Sequence, residues 1–187
     1  MNKVVYLTTE RLLLRQWTDS DLPLYAAMNA DPEVMKYFPR LQTAEESSTF
    51  ITAQSTKIAE LGYGLFAVEL KQHADFIGFI GLSIATFDAD FTPCTEIGWR
   101  LRKEFWNKGY ATEGARACLK FGFDNLQLDH IHSFTAVRNL PSERVMQKIG
   151  MTKIGEFQHP RVPVESDLRQ HVLYRMPRTE YIHQQSI

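Results

Sequence analysis

Glu96-Ile-Gly-Trp-Arg-Leu-Arg-Lys-Glu-Phe-Trp-Asn-Lys-Gly-Tyr-Ala-Thr-Glu-Gly-Ala-Arg-Ala-Cys118 changes its hydrophobic period halfway along. Ile97, Trp99 and Leu101 alternate with Glu96, Gly98 and Arg100, the period of a strand. Ala111, Ala115, Cys118, Leu119 and Gly122 then recur at helical spacing, with small residues along one face. Trp106-Asn-Lys-Gly-Tyr-Ala111 joins the two. A strand that turns through glycine into a helix leaves the first helical N–H groups unpaired, and the helix dipole adds partial positive charge there. Such a turn suits a phosphate or pyrophosphate. Neither G-x-G-x-x-G nor G-x-x-x-x-G-K-[ST] occurs in the chain, so the Rossmann and Walker loops are excluded.

Outward from this stretch, the chain reads as one domain over residues 1–187, with a core from about Leu7 to Met176 and a tail from Pro177 that lacks apolar periodicity. Hydrophobic residues make up 44% and charged residues 23%, enough for a proper core. A net charge of -1 gives no reason to expect nucleic acid or an anionic membrane surface as partner. No long apolar run or signal pattern is present, so a cytoplasmic location is the default expectation. Cys94 and Cys118 stand apart from any C-x-x-C pair, and no structural disulfide is expected.

Leu7 to Trp17 reads as a first strand, followed by the capping-rich Thr18-Asp-Ser-Asp21 and a helix from Leu22. Asp31 to Pro39 is a short helix or turn. Thr43-Ala-Glu-Glu46 has the form of a capping box, opening a helix that Gly62 ends. Leu65–Leu70 and Phe76–Ser83 have hairpin spacing. Leu128 to Val137 is the fifth strand; Asn139 caps a short helix that stops at Gly150. Thr152 to Gln158 and Gln170 to Arg175 complete about seven strands.

The turn resembles the acetyl-CoA pyrophosphate loop of the GNAT superfamily of N-acetyltransferases, usually [QR]-x-x-G-x-[GA], with Trp106 in the first place. The W-x-K-G-Y-A-T-E run and the opening T-x-R-L-x-L-R resemble the ribosomal-protein N-terminal acetyltransferase branch, RimJ/RimL. Asn139-Leu-Pro-Ser142 with Met146-Gln-Lys-Ile-Gly-Met151 resembles the second family signature. The resemblance implies an α/β (α+β) GNAT fold: a mixed, mostly antiparallel sheet with helices on both faces. Its fourth and fifth strands run parallel and splay apart. It also implies acetyl-CoA as cofactor, without a metal. Trp99, Arg100 and Leu101 would receive the pantetheine amides, and Trp106, Asn107, Lys108, Gly109, Tyr110, Ala111 and Thr112 the pyrophosphate. Asn139 and Ser142 would approach the pantetheine arm. A homodimer is common in relatives.

The implied reaction moves an acetyl group from a thioester to a primary amine, either a protein N-terminus or a small molecule. A protonated amine cannot attack, so a base is needed at neutral pH. Backbone N–H groups near the strand end can polarise the thioester carbonyl. Ser142 is the candidate for assisting the departing thiolate; an ordinary first-turn serine bonded to the main chain is the alternative. Glu96 is the best-placed base, although it alternates with Trp99 and Leu101 and faces the cofactor only if a bulge intervenes. Glu165 and Asp167 are weaker candidates. Tyr37, Phe38, His159 and Tyr174 are candidates for acceptor contact, with packing the rival role for the histidine. His130 and His132 share a strand face but lack further ligands at metal spacing. The rival to an enzyme is a non-catalytic module that senses acyl-CoA through the same loop.

Overall fold

The computed structural model describes residues 3–185. Eight strands form one sheet in the order β1-β2-β3-β4-β5-β6-β8-β7. These are β1 (Val5–Thr8), β2 (Leu12–Arg15), β3 (Leu65–Leu70), β4 (Phe76–Ala85), β5 (Cys94–Leu101), β6 (His130–Ala136), β7 (Thr152–Gln158) and β8 (Gln170–Pro177). The helices are α1 (Leu22–Ala30), α2 (Ala44–Leu61), α3 (Tyr110–Asp124), α4 (Leu140–Lys148) and α5 (Arg178–Gln185). Every pairing is antiparallel except β5 with β6. The expected fold class holds, with two corrections to its parts.

The stretch expected as one strand from Leu7 to Trp17 is a hairpin. Its turn closes because the Thr9 hydroxyl accepts the Leu12 amide at 2.9 Å while the Thr9 amide reaches the Leu12 carbonyl at 3.0 Å. The extra strand raises the count to eight. The tail, read as lacking apolar periodicity, forms α5 over its described residues, while 186–187 lie outside them: Tyr181 is buried and stacks on Phe123 of α3 with ring centroids 4.7 Å apart. One aromatic anchor does there what a periodic apolar face does elsewhere.

Strand alternation assigns the two faces of the sheet. Ile80 and Leu82 of β4 turn towards α3, which comes close because Gly114 and Gly122 present no side chain to them. Phe79 turns the other way, against Tyr25 of α1 and Phe50 of α2. Thr43 and Glu46 form the reciprocal capping box that starts α2, and Gly62 ends it at φ 74°. A smaller apolar cluster gathers Ala85, Phe87 and Cys94 with Phe91, Phe134 and Phe157. Cys94 and Cys118 are free and buried. Among the described residues no helix is long and apolar enough to cross a membrane.

Candidate active site

β4 and β5 pair continuously from Gly78↔Leu101 to Ala85↔Cys94. On its other edge β5 meets β6 at a single register position, Glu96↔His132, reinforced by a bond from the Ser133 hydroxyl to the Ile97 carbonyl at 3.0 Å. Beyond that point the two parallel strands part. The β6-facing edge from Trp99 to Leu101 is therefore left without a strand partner; Arg100 bonds to Phe79 of β4, and the main-chain groups of Trp99 with the Leu101 amide face the gap. A short chain bearing amides can pair there.

The connection from β5 to α3 lies at this open end. A 3-10 turn, Lys103–Phe105, is followed by two left-handed residues, Asn107 at φ 58° and Gly109 at φ 82°. Trp106 anchors the turn by donating its indole N–H to the Leu101 carbonyl at 2.8 Å. No side chain caps α3, and its first paired amide is that of Glu113, bonded to the Gly109 carbonyl at 3.0 Å. The amides of Tyr110, Ala111 and Thr112 thus remain as donors at the positive end of the helix dipole. Lys108 and Arg11 add cationic side chains around them, and a groove lined by Arg11, Lys71, Phe105, Lys108 and Tyr110 borders the loop. These features fit a pyrophosphate.

Motif reading alone does not pick out what braces this loop. Glu113, in the first turn of α3, accepts from the Thr9 hydroxyl at 2.5 Å, from the Arg11 amide at 2.8 Å and from Arg11 Nε at 2.6 Å. Arg11 also donates to the Lys108 carbonyl at 3.0 Å and lies 4.6 Å from the Tyr110 ring centre. Thr9 and Arg11 belong to the opening T-x-R-L motif and Glu113 to the W-x-K-G-Y-A-T-E run, so the two signatures meet in one ion-paired joint. The co-occurrence of an acid and an arginine in the two motifs was the available signal.

α4 begins at the same end of the cleft, directly after β6. Asn139 is its N-cap: Oδ1 accepts the Ser142 amide at 3.3 Å, and Nδ2 donates to the Thr135 hydroxyl at 2.9 Å. The Ser142 hydroxyl itself makes no hydrogen bond with any described residue, so it does not serve the helix turn. Asn139 performs the capping and leaves the serine hydroxyl available.

On β5 no bulge interrupts the register, so Glu96 shares a face with Gly98 and Arg100 and points away from Trp99 and Leu101. That face is the one covered by α1, α2 and the segment between them. Gly98 lets the Glu96 side chain lean along the strand towards the splay, since a Cβ at Gly98 would lie 3.7 Å from Glu96 Oε1. Glu96 forms no hydrogen bond or ion pair with a described residue, and burial pushes its carboxyl up to about 7. The residue keeps partial access to solvent, yet protein surrounds the carboxyl closely enough to disfavour its charge. A carboxyl with that value can both hold and release a proton at neutral pH.

Arg100 and Phe38 meet on this face, the guanidinium carbon 3.9 Å from the ring centre. Tyr37 is half-buried beside it, under the Lys36 ammonium at 5.2 Å. His159 packs 4.5 Å from Phe87 and 4.9 Å from His171, and its Nδ1 accepts the Arg161 amide at 3.2 Å. Burial, then His171 and Arg161, pull its pKa down to about 4, so it is neutral at pH 7. Tyr174 is separated from these residues. It lies on the α4 side of the sheet, donating to Glu143 at 2.9 Å and accepting from Gln147 at 3.2 Å. The sheet stands between it and Glu96.

Comparison with known proteins agrees with this geometry. A family model described as an acetyltransferase (GNAT) domain matches residues 11–152. The chain is 36% identical over 155 residues to the uncharacterized N-acetyltransferase YnaD of Bacillus subtilis, covering 82% of this chain and 86% of that one. A GNAT-family acetyltransferase structure from Bacillus anthracis superposes with a TM-score of 0.77 at 31% identity, over 93% of this chain and 99% of that one. The structure of RimL, a ribosomal L7/L12 alpha-N-protein acetyltransferase, gives 0.75 over 95% and 96%, but at 14% identity it shares only the fold. With its splayed strands, uncapped α3 and matching family model, the chain belongs to the GNAT acetyltransferase family.

Proposed function

We propose that this protein transfers the acetyl group of acetyl-CoA to a primary amine by direct attack within a ternary complex. The carrying observation is the division of the β5–β6 splay between two chemistries. On the α3 side lie unpaired main-chain groups and an uncapped helix N-terminus, suited to an amide-bearing arm and a pyrophosphate. On the α1–α2 side lies an unpaired carboxyl held at about 7.

Acetyl-CoA supplies an activated acyl group when bound; the chain's own residues supply position and proton traffic. Trp99 and Leu101 offer main-chain pairing on either side of Arg100, while the loop from Trp106 to Thr112 and Asn139 fix the carrier. Glu96 takes a proton from the acceptor ammonium, directly or through water. The free Ser142 hydroxyl, at the open end of the splay, can donate a hydrogen bond to the sulfur as it leaves. A protein N-terminus and a small amine both satisfy this scheme.

The test is release of CoA thiol from acetyl-CoA against a panel of amines and short peptides, with wild type and Ser142→Ala. Acceptor-dependent release that falls in the variant supports the reading. Tight CoA binding by calorimetry without turnover on any acceptor would favour a sensor of acyl-CoA instead.

A further inference from the structure

Arg15, Ala67, Phe79 and Arg100 are successive cross-strand partners, so the two arginines stand in one row on one face of the sheet. The fold treats them in opposite ways. Arg15 donates to both oxygens of Asp21, at 2.7 and 2.8 Å, and through Nε to Glu69 at 2.6 Å. Arg100 has no carboxylate partner among the described residues. Its Nη1 donates to the neutral Asn29 Oδ1 at 2.7 Å, and its Nε is buried with no partner among the described residues. Tyr25 is the ionisable group nearest in electrostatic effect, and burial pushes that phenol above its ordinary value, so it carries no charge at neutral pH. Phe38 and Phe79 give the cation aromatic faces at 3.9 and 5.6 Å.

A guanidinium stays charged, and an uncompensated charge out of water is costly. Aromatic faces offset part of that cost but leave most of the fork of donors unused. An arriving anion would complete it. The location supports the same conclusion. Glu96 and Arg100 lie four residues apart on one strand face, about 13 Å between Cα atoms at about 3.3 Å per residue. Between them is Gly98, over which the Glu96 carboxyl already leans. That places a carboxyl at one end of this stretch and an unsatisfied cation at the other, with no side chain on the glycine between them.

We infer that the acceptor is a small amine that also bears an anionic group, a carboxylate or a phosphate, and that Arg100 is the residue that binds this anion. The inference rests on the proposed acetyl transfer and specifies its acceptor. The amine meets Glu96 while the anion meets Arg100, so the substrate lies along β5 with both ends held. A polyamine would place a second cation against Arg100 and be disfavoured.

The test uses matched acceptors: β-alanine and O-phosphoethanolamine against propylamine, with spermidine and a peptide of neutral sequence as further arms. For the wild type, kcat/KM for one or both anionic acceptors should exceed that for propylamine by roughly 10-fold to 100-fold, the range for a hydrogen bond to a charged group. The ratio between β-alanine and O-phosphoethanolamine tells carboxylate from phosphate. Arg100→Gln should collapse the anionic-to-neutral ratio towards one, and Arg100→Lys should restore part of it. A merely structural role would lower all acceptors together and leave that ratio unchanged. Propylamine, spermidine or the neutral peptide used as well as the anionic acceptors would overturn the inference, as would selectivity that survives Arg100→Gln. If no acceptor turns over, binding of N-acetyl-β-alanine and of N-acetyl-O-phosphoethanolamine to the CoA-saturated protein decides by calorimetry. Binding of either that is lost in Arg100→Gln upholds the anion site while the acetyl-transfer reading fails separately; no binding of either, or binding unchanged in the variant, overturns it.

Discussion

Glu96→Gln separates the two consequences of burying a carboxyl without a partner. Burial raises this group from an ordinary 4.5 to about 7. At about 1.4 kcal/mol per pH unit, such a shift costs the ionised folded form roughly 3 kcal/mol, and partial solvent access reduces this to roughly 2 kcal/mol. The sign follows from linkage. Between the unfolded value and the folded one, the native state binds more protons than the unfolded chain, so stability falls as pH rises through that window and levels off above it. Glutamine has no proton to lose. Wild type and variant should therefore unfold alike near pH 4, whereas above pH 8 the variant should be more stable by roughly 2 kcal/mol, or about 5 °C in Tm for a chain of this size. Activity should move the opposite way. The wild-type kcat/KM should rise with pH through a limb centred near 7, and the variant should lose that limb along with a factor of about 10² to 10⁴. Urea unfolding at the two pH extremes and a pH profile of CoA release give both readouts. A variant as active as the wild type, or destabilised equally at both pH values, would refute the assignment of Glu96 as a strained, poised base.

Three further substitutions probe other parts of the scheme. Ser142→Ala removes a hydroxyl that has no hydrogen bond among the described residues, so kcat should fall by roughly 10-fold to 100-fold with Tm unchanged, read from CoA release and thermal melting. Gly109→Ala forces alanine to φ 82° and sets a methyl 3.4 Å from Arg11 Nη2. It should cost about 1–2 kcal/mol in urea unfolding and raise the KM for acetyl-CoA several-fold. Arg15→Leu strands Asp21 in the interior and leaves Glu69 with Lys3 as its only cation among the described residues, and should cost about 3–5 kcal/mol, measured as a lower urea midpoint.

The parts legible in the sequence were those written by local signals. The period change between Glu96 and Cys118 placed β5 and α3, and Asn139 announced the start of α4. The β1–β2 hairpin was not legible because Leu12-Leu-Leu14 shows no break in pattern. Its turn is fixed by Thr9 and by Glu113, 104 residues further on. α5 was missed because Tyr181 anchors it through Phe123, a tertiary contact that a short polar segment does not advertise. Alternation assigned Glu96 to the face opposite Trp99, but not its lean over Gly98. The isolation of Arg100 depends on Asn29, 71 residues away in sequence, and on which charged residues fail to approach.

That isolation gains meaning from the rest of the sheet. Arg15, in the same cross-strand row, has two carboxylates; Glu113 holds three donors; Lys103 reaches Asp31 at 2.7 Å. The chain therefore has the means to satisfy charges across long sequence separations and does so where only stability is at stake. Glu96 and Arg100 are left unsatisfied on one face of one strand, beside the point where that strand loses its neighbour. Unpaired charges raise the energy of the folded state, and two of them share one face of β5 beside the splay, in keeping with the proposal that their partners arrive with the substrate. The opposite face of β5 carries Ile97, Trp99 and Leu101 against the core and α3, which holds the strand rigid. Alternation along one strand thus sets its apolar side against the core and turns Glu96 and Arg100 to the face where the proposed acceptor would lie.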